Sequence, residues 1–233
     1  MGRVKRSVLF ITGTDTGVGK TLLTCLLMRH LRGAGRGVPA LKPVCSGDRN
    51  DARLLLEASG GLLSLAQINP WHFRAPLAPL AAARREGKRL RLRNVLEHVR
   101  RIQKRFPALL VEGAGGLLSP LGENFNSLDL IVALKAVPII VSANRLGVIN
   151  QVLLVQAALP RAFSQRSQVV LMSIQRPDSS SRDNAPILKE KLGPDRVHVL
   201  PWLRSAAQWS QKLSNPRVRE VCGVLGSLLR VEG

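Results

Sequence analysis

The stretch ITGTDTGVGKTLL, Ile11 to Leu23, decides the fold. It joins an apolar, β-branched run to a segment of helical spacing through a loop of small residues that ends in Gly-Lys-Thr. Strand, glycine-rich loop and helix, in that order, give a phosphate loop its physical sense. Glycines admit backbone torsions that turn consecutive N–H groups inward, and the helix start adds positive potential at the same place. Lys20 can then reach terminal phosphates, and the Thr21 hydroxyl can ligate Mg²⁺. The spacing departs from the common form. Gly13 precedes Gly19 by six positions, and Thr14 stands where the usual first glycine would be.

Outward from this loop, short apolar runs alternate with longer helical patterns, which predicts parallel strands joined by crossover helices. Strands are expected at Ser7 to Ile11, Val38 to Leu41, Ala108 to Val111, Val137 to Ser142, Gln168 to Met172 and Val197 to Leu200. Helices are expected at Thr21 to Arg32, Asp51 to Ser59, Leu77 to Arg85, Leu92 to Phe106 and Val148 to Leu159, each closed by a nearby glycine or proline. The fold class is therefore α/β. Residues 1–233 read as one P-loop NTPase-like domain with a mostly parallel central sheet flanked by helices. The segment RPDSSSRDN, residues 176–184, is polar and turn-rich and is expected to be a mobile loop.

Composition narrows the class. The chain is 45 % hydrophobic over 233 residues, enough for a substantial core. No run approaches the roughly 20 apolar residues of a membrane-spanning helix, and Val8 to Ile11 is too short for a secretion signal. A cytoplasmic protein with no membrane partner is expected. Cys25, Cys45 and Cys222 are widely spaced and lack CxxC or His pairing, so they support neither a disulfide framework nor zinc. They are expected as small core or near-site residues.

The net charge of +20 raises polyanionic partners as a question. Aromatic content of 3 % with no tyrosine makes a base-stacking platform hard to assemble, so nucleic acid is not the expected partner. The densest basic stretch, residues 84–106, carries Val95, Val99, Ile102 and Phe106 at helical spacing with arginines on other faces. It reads either as a solvated helix face or as a polyanion-binding surface.

Ligands of open α/β sheets bind outside the carboxyl ends of the strands. Three segments fall there. KPVCSGDRNDA places Lys42 at a strand end, Ser46 in the loop, and Asp48 and Asp51 within reach of a metal. EGAGGLLSPL begins with Glu112 at the end of an apolar strand, and ANRLGVINQ sets a glycine at a helix start. A phosphate loop, a lysine and two strand-end acids can together hold a metal nucleotide and an anionic reaction centre.

These motifs, in this order, resemble the dethiobiotin synthetase family. The resemblance runs through GTDTGVGKT at 13–21, KPVCSG at 42–47, NDA at 50–52, PLAPLAAA at 76–83, VEGAGGLLSPL at 111–121, PIIVSANRLGVIN at 138–150 and LPWL at 200–203. The wide spacing of the phosphate loop is the family's own form. The resemblance implies an ATP- and Mg²⁺-dependent ligase that carboxylates 7,8-diaminononanoate with CO₂ and closes a cyclic urea. It implies Lys20 and Lys42 as the catalytic cations and Thr21, Asp51 and Glu112 as the Mg²⁺ set. Thr14, Asp15, Thr16, Gly17, Val18 and Gly19 join these around the nucleotide, with Met172 and Pro201 on the base side. Ser46 is implied as a substrate contact. Gly147, Val148 and Asn150 are implied to capture the substrate carboxylate across a homodimer interface.

Two departures stand out. Gly17 replaces an often acidic residue, and Met172 replaces the asparagine that reads adenine in the family. A thioether has neither the donor nor the acceptor of that amide, so weak nucleobase selectivity is expected. The short segment between Gly47 and Asp51 leaves Asp48 and Asp51 both open as the metal ligand. The main rival is a partition-type P-loop ATPase that holds DNA on its basic surface. Such a protein would normally show a second lysine early in the loop, where Thr14, Asp15 and Thr16 stand. An amide-forming ligase of cofactor synthesis is a second rival, but it would add a glutaminase domain for which the chain is short.

Overall fold

The computed structural model describes residues 6–203 and 208–229. Its strands are β1 Ser7–Gly13, β2 Ala40–Leu41, β3 Val44–Ser46, β4 Trp71–Phe73, β5 Ala108–Gly116, β6 Pro120–Gly122, β7 Phe125–Asn126, β8 Val137–Ala143, β9 Gln168–Met172 and β10 Val197–Leu200. The longer helices are α1 Lys20–Gly33, α2 Asn50–Ser59, α3 Leu65–Ile68, α4 Pro79–Arg85, α5 Leu92–Gln103, α6 Ser127–Leu134 and α7 Val148–Ala158. Beyond them come α8 Arg161–Ser164, α9 Asn184–Leu192, α10 Trp209–Ser214 and α11 Pro216–Ser227.

Six strands form one sheet in the order β10-β9-β8-β1-β5-β2, and every pairing in it is parallel. Val8, Leu9, Phe10 and Ile11 are all buried, so β1 is covered on both faces, as a central parallel strand must be. The chain leaves β1 first for β2 and β5 on one side and then for β8, β9 and β10 on the other. That reversal beside β1 opens a crevice at the carboxyl edge, and the phosphate loop lies in it. Two further small sheets, parallel β3-β4 and antiparallel β6-β7, flank this edge.

All six expected strands form, with shifted ends. The second is only Ala40–Leu41, because Pro39 has no N–H to give the ladder, although its carbonyl accepts from Leu110 N at 3.0 Å. β5 runs past Val111 through the glycines to Gly116, where it pairs with Gly13. The fourth helix begins at Pro79 rather than Leu77, and α5 ends at Gln103 rather than Phe106. Gly60, with φ 64, caps α2 as expected, whereas Gly33 is helical and the chain turns at Gly35 instead.

The segment 176–184 forms a short 3₁₀ turn at Ser179–Arg182. Asp178 accepts from Ser180 N at 3.0 Å and from Leu146 N at 2.8 Å. Asn144 donates to Ser181 O at 2.9 Å and accepts from Asn184 at 2.9 Å. These bonds tie the segment to the β8–α7 junction, in place of the untethered loop its composition predicts. α5 buries Val95, His98, Val99 and Ile102 and exposes Arg93, Arg100 and Arg101, with Lys104 exposed just beyond its end. Among the described residues, no helix is long and apolar enough to cross a membrane.

Candidate active site

A cleft of about 720 Å³ opens between the phosphate loop, the β2–α2 segment, the Pro76–Pro79 turn and the end of β5. Thr16, Gly17, Gly19, Lys20 and Thr21 line it from the loop side, Ser46, Asp48 and Asp51 from the other, and Lys42 from below. The loop is built as its sequence requires. Gly17 has φ 69 and Gly19 φ 101, torsions that cost a side-chain-bearing residue strain, and Gly19 caps the start of α1. Gly17 therefore removes a carboxylate and relieves the backbone at once. Thr14 anchors the loop to β8, donating through its N–H to Val141 O at 3.0 Å, with its hydroxyl 2.7 Å from Ser142 Oγ. Asp15 Oδ1 accepts from Thr16 N at 2.6 Å. Val18 is buried beneath the loop.

Lys20 and Lys42 are both buried lysines, yet their surroundings move them in opposite directions. Lys20 Nζ donates to the backbone carbonyl of Asp15 at 2.7 Å. Burial lowers its pKa to about 8, only partly offset by Glu112. At Lys42 burial also opposes the charge, but Glu112 and Asp51 overcome it and hold the ammonium above its ordinary value. Lys42 Nζ donates to Asp51 Oδ2 and, at 2.8 Å, to Glu112 Oε1. Burial would raise the Asp51 carboxyl, but Lys42 holds it below the usual carboxylate range. Thr21 Oγ1 donates to Glu112 Oε1 at 2.6 Å. Thr21, Asp51, Glu112 and Lys42 thus form one connected cluster at the foot of the phosphate loop.

The cluster resolves the choice left open between two aspartates. Asp48 turns its carboxylate to Asn50 N at 2.9 Å and stabilises the start of α2, whereas Asp51, in the first turn of that helix, meets Lys42. Among the described residues no group of three or more His, Cys, Asp and Glu gathers as a metal site. The set present is two carboxylates and a hydroxyl, all hard oxygens, beside a phosphate loop. That fits Mg²⁺, which takes one or two protein carboxylates and fills its remaining positions with phosphate and water.

Other expected residues lie apart from the cleft. Met172 ends β9 and packs on the loop: a Cβ built at Gly19 would lie 3.0 Å from its Cε. Pro201 follows β10, and both residues sit on the sheet's carboxyl edge without lining the cleft. Gly147, with φ 91, caps α7; Val148 is buried and Asn150 exposed at that helix start, again outside the cleft of the same chain. Ser46 lines the cleft and donates to Leu77 O. Cys45 also lines it, and Cys25 and Cys222 are core residues.

Sequence reasoning missed three contributors. Thr24, fully buried, donates to Glu112 Oε2 at 2.8 Å; its spacing of three from Thr21 was the available signal. Asn69, also fully buried, donates to Lys42 O at 2.7 Å and accepts from Arg49 at 2.8 Å, which holds the Lys42 strand end in place. The Pro76–Pro79 turn, read only as part of a motif, walls the cleft.

Fold and loop define a P-loop nucleotide-binding α/β protein, and residues 7–209 match the family model described as AAA domain. The solved structure of pNOB8 ParA bound to nonspecific DNA shares the fold, with a TM-score of 0.55 over 96 % of this chain and 98 % of that one, at 15 % identity. Sequence relatives are nearer. The ATP-dependent dethiobiotin synthetase of Anaeromyxobacter dehalogenans (strain 2CP-C) is 40 % identical over 212 residues, 89 % of this chain and 95 % of the relative. That of Bacillus subtilis (strain 168) is 35 % identical over 205 residues, 85 % and 89 % of the two chains. The chain belongs to the ATP-dependent dethiobiotin synthetase family, a family of ligases.

Proposed function

We propose that this chain makes dethiobiotin, in biotin biosynthesis, from 7,8-diaminononanoate, CO₂ and ATP. One amine of the diamine takes up CO₂ as a carbamate and releases a proton. A carbamate oxygen then attacks the γ-phosphorus and ADP departs. The neighbouring amine opens the resulting carbamic-phosphoric anhydride at carbon, closes the cyclic urea and expels phosphate. No protein nucleophile is needed, only positioning and neutralisation of phosphoryl charge. The observation that carries this reading is the pair of buried lysines: Lys20 beside the loop and Lys42 at 2.8 Å from Glu112, both within the cleft.

Lys20 would leave the Asp15 carbonyl for the terminal phosphates, which replace that carbonyl with a stronger acceptor. Lys42 would face the carbamate and the transferred phosphoryl group from the opposite side. Thr21, Asp51 and Glu112 would hold Mg²⁺, which neutralises phosphate charge when bound. Ser46 and the turn at Pro76–Pro79 would shape the diamine site.

The substrate carboxylate is assigned to the start of α7 in a second copy of the chain, where free N–H groups favour an anion. Support for a homodimer comes from the outer face of that element: Leu146 is 79 % exposed and Leu154 61 %, two large apolar side chains on the helix that presents Gly147 and Asn150. We assign residues 1–233 to a single catalytic unit in the cytoplasm, and three buried unpaired cysteines accord with a reducing compartment. ADP release that requires both diamine and bicarbonate is the test. Release at the same rate without the diamine would contradict the proposal.

A further inference from the structure

We propose that Thr24 is a positioning residue that fixes the Glu112 carboxylate for Mg²⁺; the inference rests on the nucleotide reading of the site given above. Thr24 lies three residues beyond Thr21 in α1, so both hydroxyls face the end of β5. Glu112 is 1 % exposed and Thr24 fully buried. The two carboxylate oxygens are served unequally. Oε1 accepts from Thr21 at 2.6 Å and Lys42 at 2.8 Å, whereas Oε2 accepts from Thr24 at 2.8 Å.

The donors on Oε1 have other tasks once a metal nucleotide arrives. Thr21 must turn an oxygen lone pair to the metal, and Lys42, a cation itself, is driven from a divalent ion toward phosphate oxygens. Thr24 has no such task, because it does not line the cleft. Its Oγ1 also lies 2.9 Å from the Lys20 carbonyl, but the carboxylate is the stronger acceptor for the single hydroxyl proton. Thr24 therefore keeps Oε2 tied inward and leaves Oε1 aimed at the loop throughout the exchange. Partners of this kind, one bond removed from a metal, are commonly worth about 10- to 100-fold in metal affinity.

Mn²⁺ in place of Mg²⁺ makes the test visible. Electron paramagnetic resonance titration of Mn²⁺ into the full-length protein with ADP compares wild type with Thr24→Val, Thr24→Ala and Thr24→Ser. Val keeps the shape without the hydroxyl, Ala deletes the hydroxyl with less bulk in case Val misfolds, and Ser keeps the hydroxyl. The expected result is Mn²⁺ affinity lowered about 10- to 100-fold in the Val and Ala variants, unchanged metal-free ADP affinity, and recovery in the Ser variant. Folded Val or Ala variants with wild-type Mn²⁺ affinity, whatever their thermal stability, would overturn the proposal and leave the site reading intact. Wild-type protein showing no metal-dependent ADP complex would overturn both.

Discussion

Glu112 Oε1 lies 2.8 Å from Lys42 Nζ, with the glutamate side chain fully buried and the lysine 6 % exposed. Each charge is there only because the other is. Removing one partner of a buried ion pair costs about 3–5 kcal/mol, because the remaining charge is left without a counter-ion. Lys42→Met is expected to lower the unfolding free energy by that order, measured in urea. The double variant Lys42→Met/Glu112→Gln is expected to recover a large part of it. A single variant as stable as wild type would show that the pair is not buried in solution.

Lys20 gives a pH signature. Its folded pKa of about 8 lies below the ordinary 10.5, so below pH 8 its charge weakens the fold, and that cost fades as the pH climbs toward 10.5. Phosphates in the loop would raise it again. ATP binding is therefore expected to draw a proton from buffer at about pH 9 and hardly any at about pH 6.5. Calorimetry in buffers of different ionisation enthalpy reads this directly. Lys20→Arg should abolish the uptake, and equal uptake in that variant would assign the proton elsewhere. Lys20→Ala should abolish phosphate release with the fold intact.

Asp51 and Glu112 are distinguished from Asp48 by what they touch. Asp51→Asn and Glu112→Gln should each shift the Mg²⁺ dependence of turnover to higher concentration, by about 10-fold or more. Asp48→Asn should leave it in place and cost only stability at the start of α2, about 1 kcal/mol. Unchanged Mg²⁺ titrations for both Asp51 and Glu112 variants would remove the metal assignment.

Met172 packs on Gly19 at the base side of the sheet edge and offers no hydrogen-bonding pair to a nucleobase. Turnover with ATP, GTP and CTP is expected to differ by less than about 10-fold, since each bidentate base contact is worth about 1–3 kcal/mol where one exists. A strong preference for ATP would mean that another group reads the base.

The apolar outer face of α7 should carry the association. Leu154→Glu is expected to shift the sedimentation of the protein from dimer to monomer and to raise the KM for the diamine more than that for ATP. A dimer unaffected by that change would move the interface to another face.

The phosphate loop was legible because its meaning is local: strand, loop and helix follow within 25 residues and each has its own pattern. Lys42, Asp51 and Glu112 were legible as strand-end residues, since a parallel sheet gathers such ends at one edge. Their mutual hydrogen bonds were not, because pairs 9 and 70 residues apart leave no periodic trace. Thr24 looked like an ordinary interior helix residue until Glu112 was set beside it. The β3-β4 pair joins three-residue strands whose partners lie 27 apart, too short for alternation to show. Composition marked residues 176–184 as loose, but their order comes from Asn144, a residue that composition does not connect to them.

The central claim is that the loop activates a carbamate for ring closure. It is tested most directly by incubating the protein with 7,8-diaminononanoate, ¹³C-bicarbonate, Mg²⁺ and ATP and analysing the product by mass spectrometry. The account predicts a cyclic urea carrying one labelled carbon, formed together with ADP and phosphate and absent from the Lys20→Ala reaction. A correctly folded protein that hydrolyses ATP yet yields no labelled urea would contradict it.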